Sequence, residues 1–182
     1  MFVDWTVFDP ESGIASTSGC NDTTLSSETN FTVLTCTATN GAGLSASRST
    51  PFIRIDKTDS VTGAALDPPA PNGNRGWYIS DVTVTLNASD PTLSNGDPPP
   101  GVDTTTYRVN GGAWNTYSGP FVVSTESLDN VVEFFSDDVA DNVESVKEVH
   151  FKLDKTPPEI ELTGGELDGI DWSPERFIKG VL

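Results

Sequence analysis

Long apolar runs are missing from this sequence of 182 residues. No segment approaches the ~20 consecutive apolar residues that a membrane-spanning helix needs. Met1 is followed at once by a strand-like alternation, so no apolar leader opens the chain. We therefore expect no membrane insertion and, if the protein is exported, a signal that lies outside this sequence.

Basic residues are also scarce. The chain has 10 Lys and Arg against 27 Asp and Glu, which gives a formal net charge of −17. Nucleic acid and anionic membrane surfaces are bound by clustered Lys and Arg, so neither is an expected partner. Two interpretations of the acidity remain open, solubility outside the cell and the binding of a cation.

The sequence has little that would support catalysis. Its single histidine, His150, lies beside Phe151 in a strand-like segment, where a lone histidine is more often a surface or packing residue than a general base. No Gly-x-Ser-x-Gly elbow of a serine hydrolase occurs. We therefore predict that the protein is not an enzyme.

Cysteine occurs only twice, as Cys20 and Cys36, on two segments with strand-like composition. A disulfide between them would stabilise the fold by roughly 3 kcal/mol. The alternative is a pair of small buried thiols. A zinc site is not expected, because two cysteines and one histidine cannot supply four ligands at a recognised spacing.

Turn-forming and β-forming residues are abundant instead. Gly, Pro, Ser, Thr, Asn and Asp all disfavour a helix interior and suit many short strands joined by turns. Val82, Val84 and Leu86 alternate with Thr83 and Thr85, which is the period of a strand buried on one face. The sequence therefore predicts an all-β fold of antiparallel strands.

An internal repeat organises the chain. Segment 52–58 recurs as segment 150–156, at an offset of 98 residues. The same offset aligns Cys36 with Phe134, so one copy has a cysteine where the other has an apolar core candidate. A period near 100 residues is the size of an immunoglobulin-type sandwich and too long for a solenoid repeat.

Two further pairs of segments extend the repeat. Segment 40–43 aligns with 138–141 at the same offset, and segment 3–10 resembles 84–91. Between these two matched segments the second copy has additional residues, around 93–101. A longer loop adds little to the entropic cost of loop closure.

The repeat predicts the domain boundaries and the fold class. We expect the C-terminal part of one repeat over 1–57, a complete repeat over 58–155 and the start of a third over 156–182, in which Trp172 would correspond to Trp77. The predicted architecture is a tandem array of immunoglobulin-like, Greek-key β-sandwiches.

Four segments of the complete copy resemble the bacterial immunoglobulin-like extracellular repeats that occur in tandem in outer-membrane, cell-wall and secreted proteins; they are 76–86, 107–121, 140–145 and 153–158. Asp141 stands where these repeats usually have glycine. The resemblance implies spacers, adhesive modules or accessory domains, and it implies no catalytic residue set.

The first copy is similar to the related hyalin repeats. Its matching segments are 9–14 and 36–43. In such domains the family pattern implies a structural disulfide, which here would join Cys20 to Cys36.

Acidic residues are expected to gather at one end of the complete copy. In a sandwich of this kind the loops after the second and sixth strands emerge where the chain enters from the preceding repeat. Calcium takes 6–8 oxygen ligands, and the candidate ligands at this end are Asp56, Asp59, Asp90, Asp103, Asp138, Asp141 and Asn142. The alternative is a set of solvated, turn-forming aspartates.

Four aromatic residues lie in two neighbouring segments: Trp77, Tyr78, Trp114 and Tyr117. A coplanar, exposed set would stack on sugar rings and bind a glycan. The alternative is that these side chains alternate between the core and its rim, as aromatic residues of hairpins commonly do.

The predicted function is a non-catalytic spacer in a larger bacterial surface or secreted protein, located outside the cell. Its partners would be the neighbouring repeats of the same chain, joined by semi-rigid linkers at Lys57-Thr58 and at 155–158. The alternative is an adhesive or ligand-binding module for a glycan or a surface protein, stiffened by calcium.

Overall fold

The computed structural model describes residues 1–160, which form fifteen β-strands and a short 3-10 turn at Asn74–Gly76. The first seven strands are β1 (Phe2–Val3), β2 (Ile14–Ser18), β3 (Thr23–Thr24), β4 (Thr29–Thr32), β5 (Thr35–Asn40), β6 (Ser45–Ser49) and β7 (Ile53–Ile55). The other eight are β8 (Val61–Asp67), β9 (Trp77–Tyr78), β10 (Val82–Ser89), β11 (Val102–Val109), β12 (Asn115–Thr116), β13 (Phe121–Val123), β14 (Ser127–Asp138) and β15 (Lys147–Leu153). The predicted all-β class is confirmed.

Among the described residues, the strands fall into two groups that share no sheet. We call residues 1–57 the first unit and residues 58–155 the second unit. The first unit has three small sheets, β1-β3, β2-β5-β6 and β4-β7. The second unit has a three-stranded sheet, β13-β10-β8, and a five-stranded sheet, β12-β11-β14-β15-β9. All pairings are antiparallel except that of β9 with β15.

The core of the second unit lies between its two sheets. Val82 and Val84 of β10 are fully buried and contribute to the same apolar cluster as Val132 of β14 and Leu153 of β15. Alternate residues of a strand point to opposite faces, so the predicted period-two stripe becomes one wall of this core. The two sheets therefore pack face to face, as in a β-sandwich.

A disulfide links two neighbouring strands of one sheet in the first unit. Cys20, just after β2, forms a disulfide with Cys36 of β5. The predicted pairing is confirmed. Cys36 is buried, as is Phe134 at the aligned position of the second unit, so both residues of this aligned pair belong to an interior.

One prediction falls outside the described residues. The predicted start of a third repeat spans 156–182, and the structure describes it only as far as residue 160. Trp172 therefore lies outside the described residues. Over residues 1–160, no helix is long and apolar enough to cross a membrane.

Candidate cation site and the junction between the two units

Three carboxylates meet where the first unit joins the second. Asp56 follows β7 of the first unit, Asp90 follows β10 and Asp138 ends β14. One oxygen atom of each lies within 4.8 Å of the other two. Because β10 and β14 belong to facing sheets of the second unit, the group closes one end of its sandwich and receives its third member from the first unit.

The negative charges of these three carboxylates are only partly balanced by hydrogen-bond donors, and no cationic side chain pairs with them among the described residues. Asp138 is only 1% exposed, and the Oδ2 atom of Asp56 and the Oδ1 atom of Asp90 are buried without a hydrogen-bond partner. The ion pairs within residues 1–160 all join other side chains. A buried anionic oxygen that lacks a donor or a cation is costly.

The electrostatics of Asp90 reflect this crowding. Burial raises the pKa of Asp90 above its ordinary value, and the neighbouring charges of Asp56 and Asp138 raise it further. A hydrogen bond from the Gly101 amide to Oδ2, 2.8 Å long, acts in the opposite direction. The site therefore disfavours three negative charges in the absence of a counter-charge.

Asp138 is held in place by the turn that follows it. Its Oδ1 atom accepts hydrogen bonds from the backbone amides of Ala140 and Asn142, at 2.8 and 2.9 Å, and its Oδ2 atom accepts one from Asn142 Nδ2. Asp141, which replaces the glycine usual in the resembling repeats, adopts a φ of 66°. Asp tolerates this left-handed conformation better than most residues, so the turn is retained.

The first unit contains the same turn. Asn40 Oδ1 accepts hydrogen bonds from the amides of Ala42 and Leu44, at 3.1 and 2.9 Å. Gly43, which aligns with Asp141, also has a positive φ, of 85°. The offset of 98 residues found in the sequence is thus reproduced by the hydrogen bonds of the two turns.

The two copies differ in the chemistry of this end. In the first unit Asn40 Nδ2 donates a hydrogen bond to Asp9 Oδ2 at 2.9 Å, and Asp9 aligns with Asp90. In the second unit the amide donor is replaced by the carboxylate of Asp138. In the first unit a neutral amide donor faces a carboxylate, whereas in the second unit two carboxylates, Asp90 and Asp138, face each other. Asp56 adds a third carboxylate.

The predicted ligands separate into three classes. Asp56, Asp90 and Asp138 come together, and Asn142 acts on the group by positioning Asp138. The remaining candidates, Asp59, Asp103 and Asp141, are exposed and lie outside the group.

Ser60 is a buried polar residue that the sequence did not single out. Its side chain is 1% exposed, and its hydroxyl has no hydrogen-bond partner. Val61 pairs with Ser89 across β8 and β10, so the preceding Ser60 comes beside Asp90, which follows Ser89. Ser60 lies directly before β8 and two residues before the buried Thr62, so its side chain lies on the same inward face, beside Asp90.

A glutamate bridges the junction a short distance away. Glu28 Oε1 accepts hydrogen bonds from the Lys57 amide at 3.0 Å and the Thr58 hydroxyl at 2.6 Å. Its Oε2 atom accepts one from the Ser94 amide of the second unit at 2.7 Å. Hydrogen bonds from Ser94 and Thr58 lower the pKa of Glu28 to about 2, so the bridge is charged at neutral pH.

The second unit repeats this arrangement at its far end. Glu126, 98 residues after Glu28, accepts hydrogen bonds from the Lys155 amide at 2.8 Å and the Thr156 hydroxyl at 2.9 Å. Each Asp-Lys-Thr linker is thus bound by a glutamate of the unit that precedes it. The internal offset would have revealed both glutamates, because Ser27-Glu28-Thr29 aligns with Thr125-Glu126-Ser127.

Further contacts cross the junction. The Asn30 amide donates to Asp97 Oδ2 at 3.0 Å, and Asn30 Nδ2 donates to the Pro98 carbonyl at 2.9 Å. Ile55 of the first unit and the buried Leu93 of the second line one cavity of about 230 Å³. The junction therefore combines polar bridges with a cavity that apolar side chains of both units line.

The four aromatic candidates do not form one surface. Tyr78 belongs to the core, and the half-buried Tyr117 packs against that core while its hydroxyl accepts a hydrogen bond from the Leu86 amide. Trp114 is 40% exposed and lies under the Arg108 guanidinium. Trp77 is half-buried on β9, so the structure does not bring the set together as a flat platform.

Comparison of the chain with protein-family models, with curated proteins and with solved structures found no match. The resemblance to bacterial immunoglobulin-like repeats therefore depends on the sequence motifs alone. What the chain does must be inferred from its own geometry, above all from the junction.

Proposed function

We propose that the chain is a non-catalytic, extracellular spacer made of immunoglobulin-like repeats and belongs to a larger bacterial surface or secreted protein. The strand order of the second unit supports the Greek-key assignment. In an immunoglobulin-like sandwich the first, second and fifth strands share one sheet, and the third, sixth and seventh share the other. When the two-residue β9 is left out of the count, β8, β10 and β13 are the first, second and fifth strands and share one sheet, and β11, β14 and β15 are the third, sixth and seventh and share the other. The fourth strand, β12, departs from this pattern, because it pairs with β11 and not with the sheet of β8 and β10.

The covalent chemistry of the first unit supports an extracellular location. Disulfides persist in oxidising compartments and are rare in the cytosol, and Cys20 is bonded to Cys36. The excess of acidic side chains favours solubility in that setting.

The observation that carries the proposal is the bridge made by Glu28. A spacer transmits position only if successive units keep a fixed angle. Glu28 contacts both the linker and the Ser94 amide of the next unit, and Glu126 binds the following linker in the same way. Repetition of one linker geometry would extend an array in a constant direction.

The proposal predicts a fixed distance between the units that depends on Glu28. Spin labels on cysteines introduced at the exposed positions Arg48 and Leu128 report this distance by pulsed electron paramagnetic resonance. We expect one narrow distance distribution in the otherwise unchanged chain. Glu28→Ala removes the acceptor of three junction hydrogen bonds, so the distribution should broaden.

Glu126→Ala is the matched control. It removes the equivalent clamp from the far linker, which does not join the labelled units, and should leave the distribution narrow. A broad distribution in the starting chain, or no response to Glu28→Ala, would contradict the proposed fixed junction.

A further inference from the structure

We infer that Asp56, Asp90 and Asp138 form a binding site for a hard divalent cation of the calcium type, and that the ion joins the two units. The site itself stands on the geometry of the three carboxylates. Only the role given to the ion, stiffening the junction, rests on the proposed function.

The oxygen geometry suits calcium. Calcium binds 6–8 oxygens at about 2.3–2.6 Å, so ligands on opposite sides of one ion lie about 5 Å apart. The three carboxylate oxygens are all within 4.8 Å of one another, which allows one ion to touch all of them. Three carboxylates can supply up to six oxygens, and the Ser60 hydroxyl and water can complete the shell.

Two carboxylate oxygens of the group lack a hydrogen-bond donor among the described residues, which points to an ion rather than to a complete hydrogen-bond network. The Asp56 Oδ2 and Asp90 Oδ1 atoms are buried and unpartnered. The Ser60 hydroxyl is also unpartnered, in a side chain that is almost wholly buried on the same inward face. All three oxygens are buried and have unused lone pairs, and oxygens of this kind are the ligands that a hard cation requires.

The first unit provides an internal comparison. There the equivalent end is satisfied without an ion, because the Asn40 amide donates to Asp9. The turn that holds Asn40 has the same hydrogen bonds as the turn that holds Asp138. The backbone of the turn is the same in both units, but Asp138 replaces the amide donor of Asn40. In the second unit a cation therefore takes the place of that missing hydrogen-bond donor.

The ion would act on the junction because its ligands come from both units. Asp56 enters from the first unit, whereas Asp90 and Asp138 end strands in the two sheets of the second. Asp154 aligns with Asp56 at the offset of 98 residues, so the far linker carries the same potential ligand for a following unit.

Calcium titration of the full chain tests the site. After removal of divalent ions with a chelator, we expect calorimetry to show binding with a dissociation constant of about 10⁻⁴–10⁻³ M, the range of extracellular calcium modules. At about ten times that concentration the midpoint of thermal unfolding should rise by on the order of 4 °C. Magnesium, which demands shorter octahedral contacts, should produce a smaller shift.

Asp138→Asn is the decisive variant. It restores the amide present at Asn40. Once the Asn142 side-chain amide turns over so that its oxygen faces the new donor, residue 138 should donate a hydrogen bond to Asp90, as Asn40 does to Asp9. We expect the calcium response to disappear while stability in chelator stays equal to that of the starting chain or exceeds it. Asp141→Asn is the matched control, because it removes the same charge at an exposed position whose φ of 66° asparagine tolerates.

The outcomes separate the site from the proposed function. No calcium binding in the starting chain, or equal calcium responses of the Asp138→Asn and Asp141→Asn variants, would overturn the site. A narrow distribution of spin-label distances without calcium binding would support the fixed junction and contradict the calcium site. Calcium binding together with a broad distribution of spin-label distances in saturating calcium would support the site and contradict the fixed junction.

Discussion

Replacing Leu153 with alanine is expected to lower the free energy of unfolding of the second unit by about 2–5 kcal/mol. Leu153 is fully buried in the core between the two sheets. Truncation removes apolar contacts and leaves a cavity that a close-packed sandwich can only partly refill. Denaturant unfolding followed by circular dichroism measures the difference.

Leu128→Ala provides the control for this loss. Leu128 lies on β14 of the same five-stranded sheet but is 77% exposed, so its truncation should change the free energy of unfolding by no more than about 0.5 kcal/mol. Equal losses in the two variants would contradict a core that lies between the sheets.

Glu144→Ala should destabilise the second unit by about 3–5 kcal/mol, because the groups that surround this buried carboxylate would lose their charged acceptor. Glu144 accepts hydrogen bonds from the amides of Thr62 at 3.1 Å and Ser136 at 2.9 Å, and it pairs with Lys147 at 2.6 Å. Thr62 and Ser136 are on facing sheets, so the carboxylate ties the two layers together. Thermal and denaturant unfolding measure the loss, and a change below about 1 kcal/mol would contradict this role.

The same carboxylate predicts a pH dependence. Burial alone would raise the pKa of Glu144, but hydrogen bonds from Lys147 and Thr62 together hold it below the ordinary value of 4.5. A pKa that is lower in the folded state means that the stabilisation is fully present above about pH 4.5 and is lost as the pH falls through the folded value. The stability gap between the starting chain and Glu144→Gln should therefore shrink between neutral pH and about pH 3. A gap that stays constant would show that Glu144 titrates normally.

Much of the second unit's fold is predictable from its sequence. Val82, Val84 and Leu86 lie two residues apart, and the pleat of a strand places all three on one face, where they are buried. The offset of 98 residues, which segments 52–58 and 150–156 define, aligns Asn40 with Asp138, and the side chains of both accept the same pair of backbone hydrogen bonds.

The candidate site was only partly predictable. The loop positions identified the correct end, but they could not show which aspartates turn inward. Asp90 and Asp138 continue the inward faces of β10 and β14, whereas Asp103 and Asp141 face solvent. Ser60 was missed because one serine among many carries no distinguishing signal until its burial is known.

The aromatic residues show a second limit. Trp77 and Tyr78 form a two-residue strand, which is too short for its alternation to reveal the inward face. Tyr78 occupies the core because β9 pairs with β15 in parallel, a contact between distant parts of the sequence. Local pattern carries no information about such a pairing.

The proposed fixed relation between the two units is tested most directly by residual dipolar couplings of backbone amides in weakly aligned, isotopically labelled protein. The account predicts that one alignment tensor, of a single magnitude and orientation, fits the amides of residues 1–57 and 58–155 together in the arrangement described. Two tensors of different magnitude would show that the units reorient independently, and that result would contradict the spacer with a fixed junction.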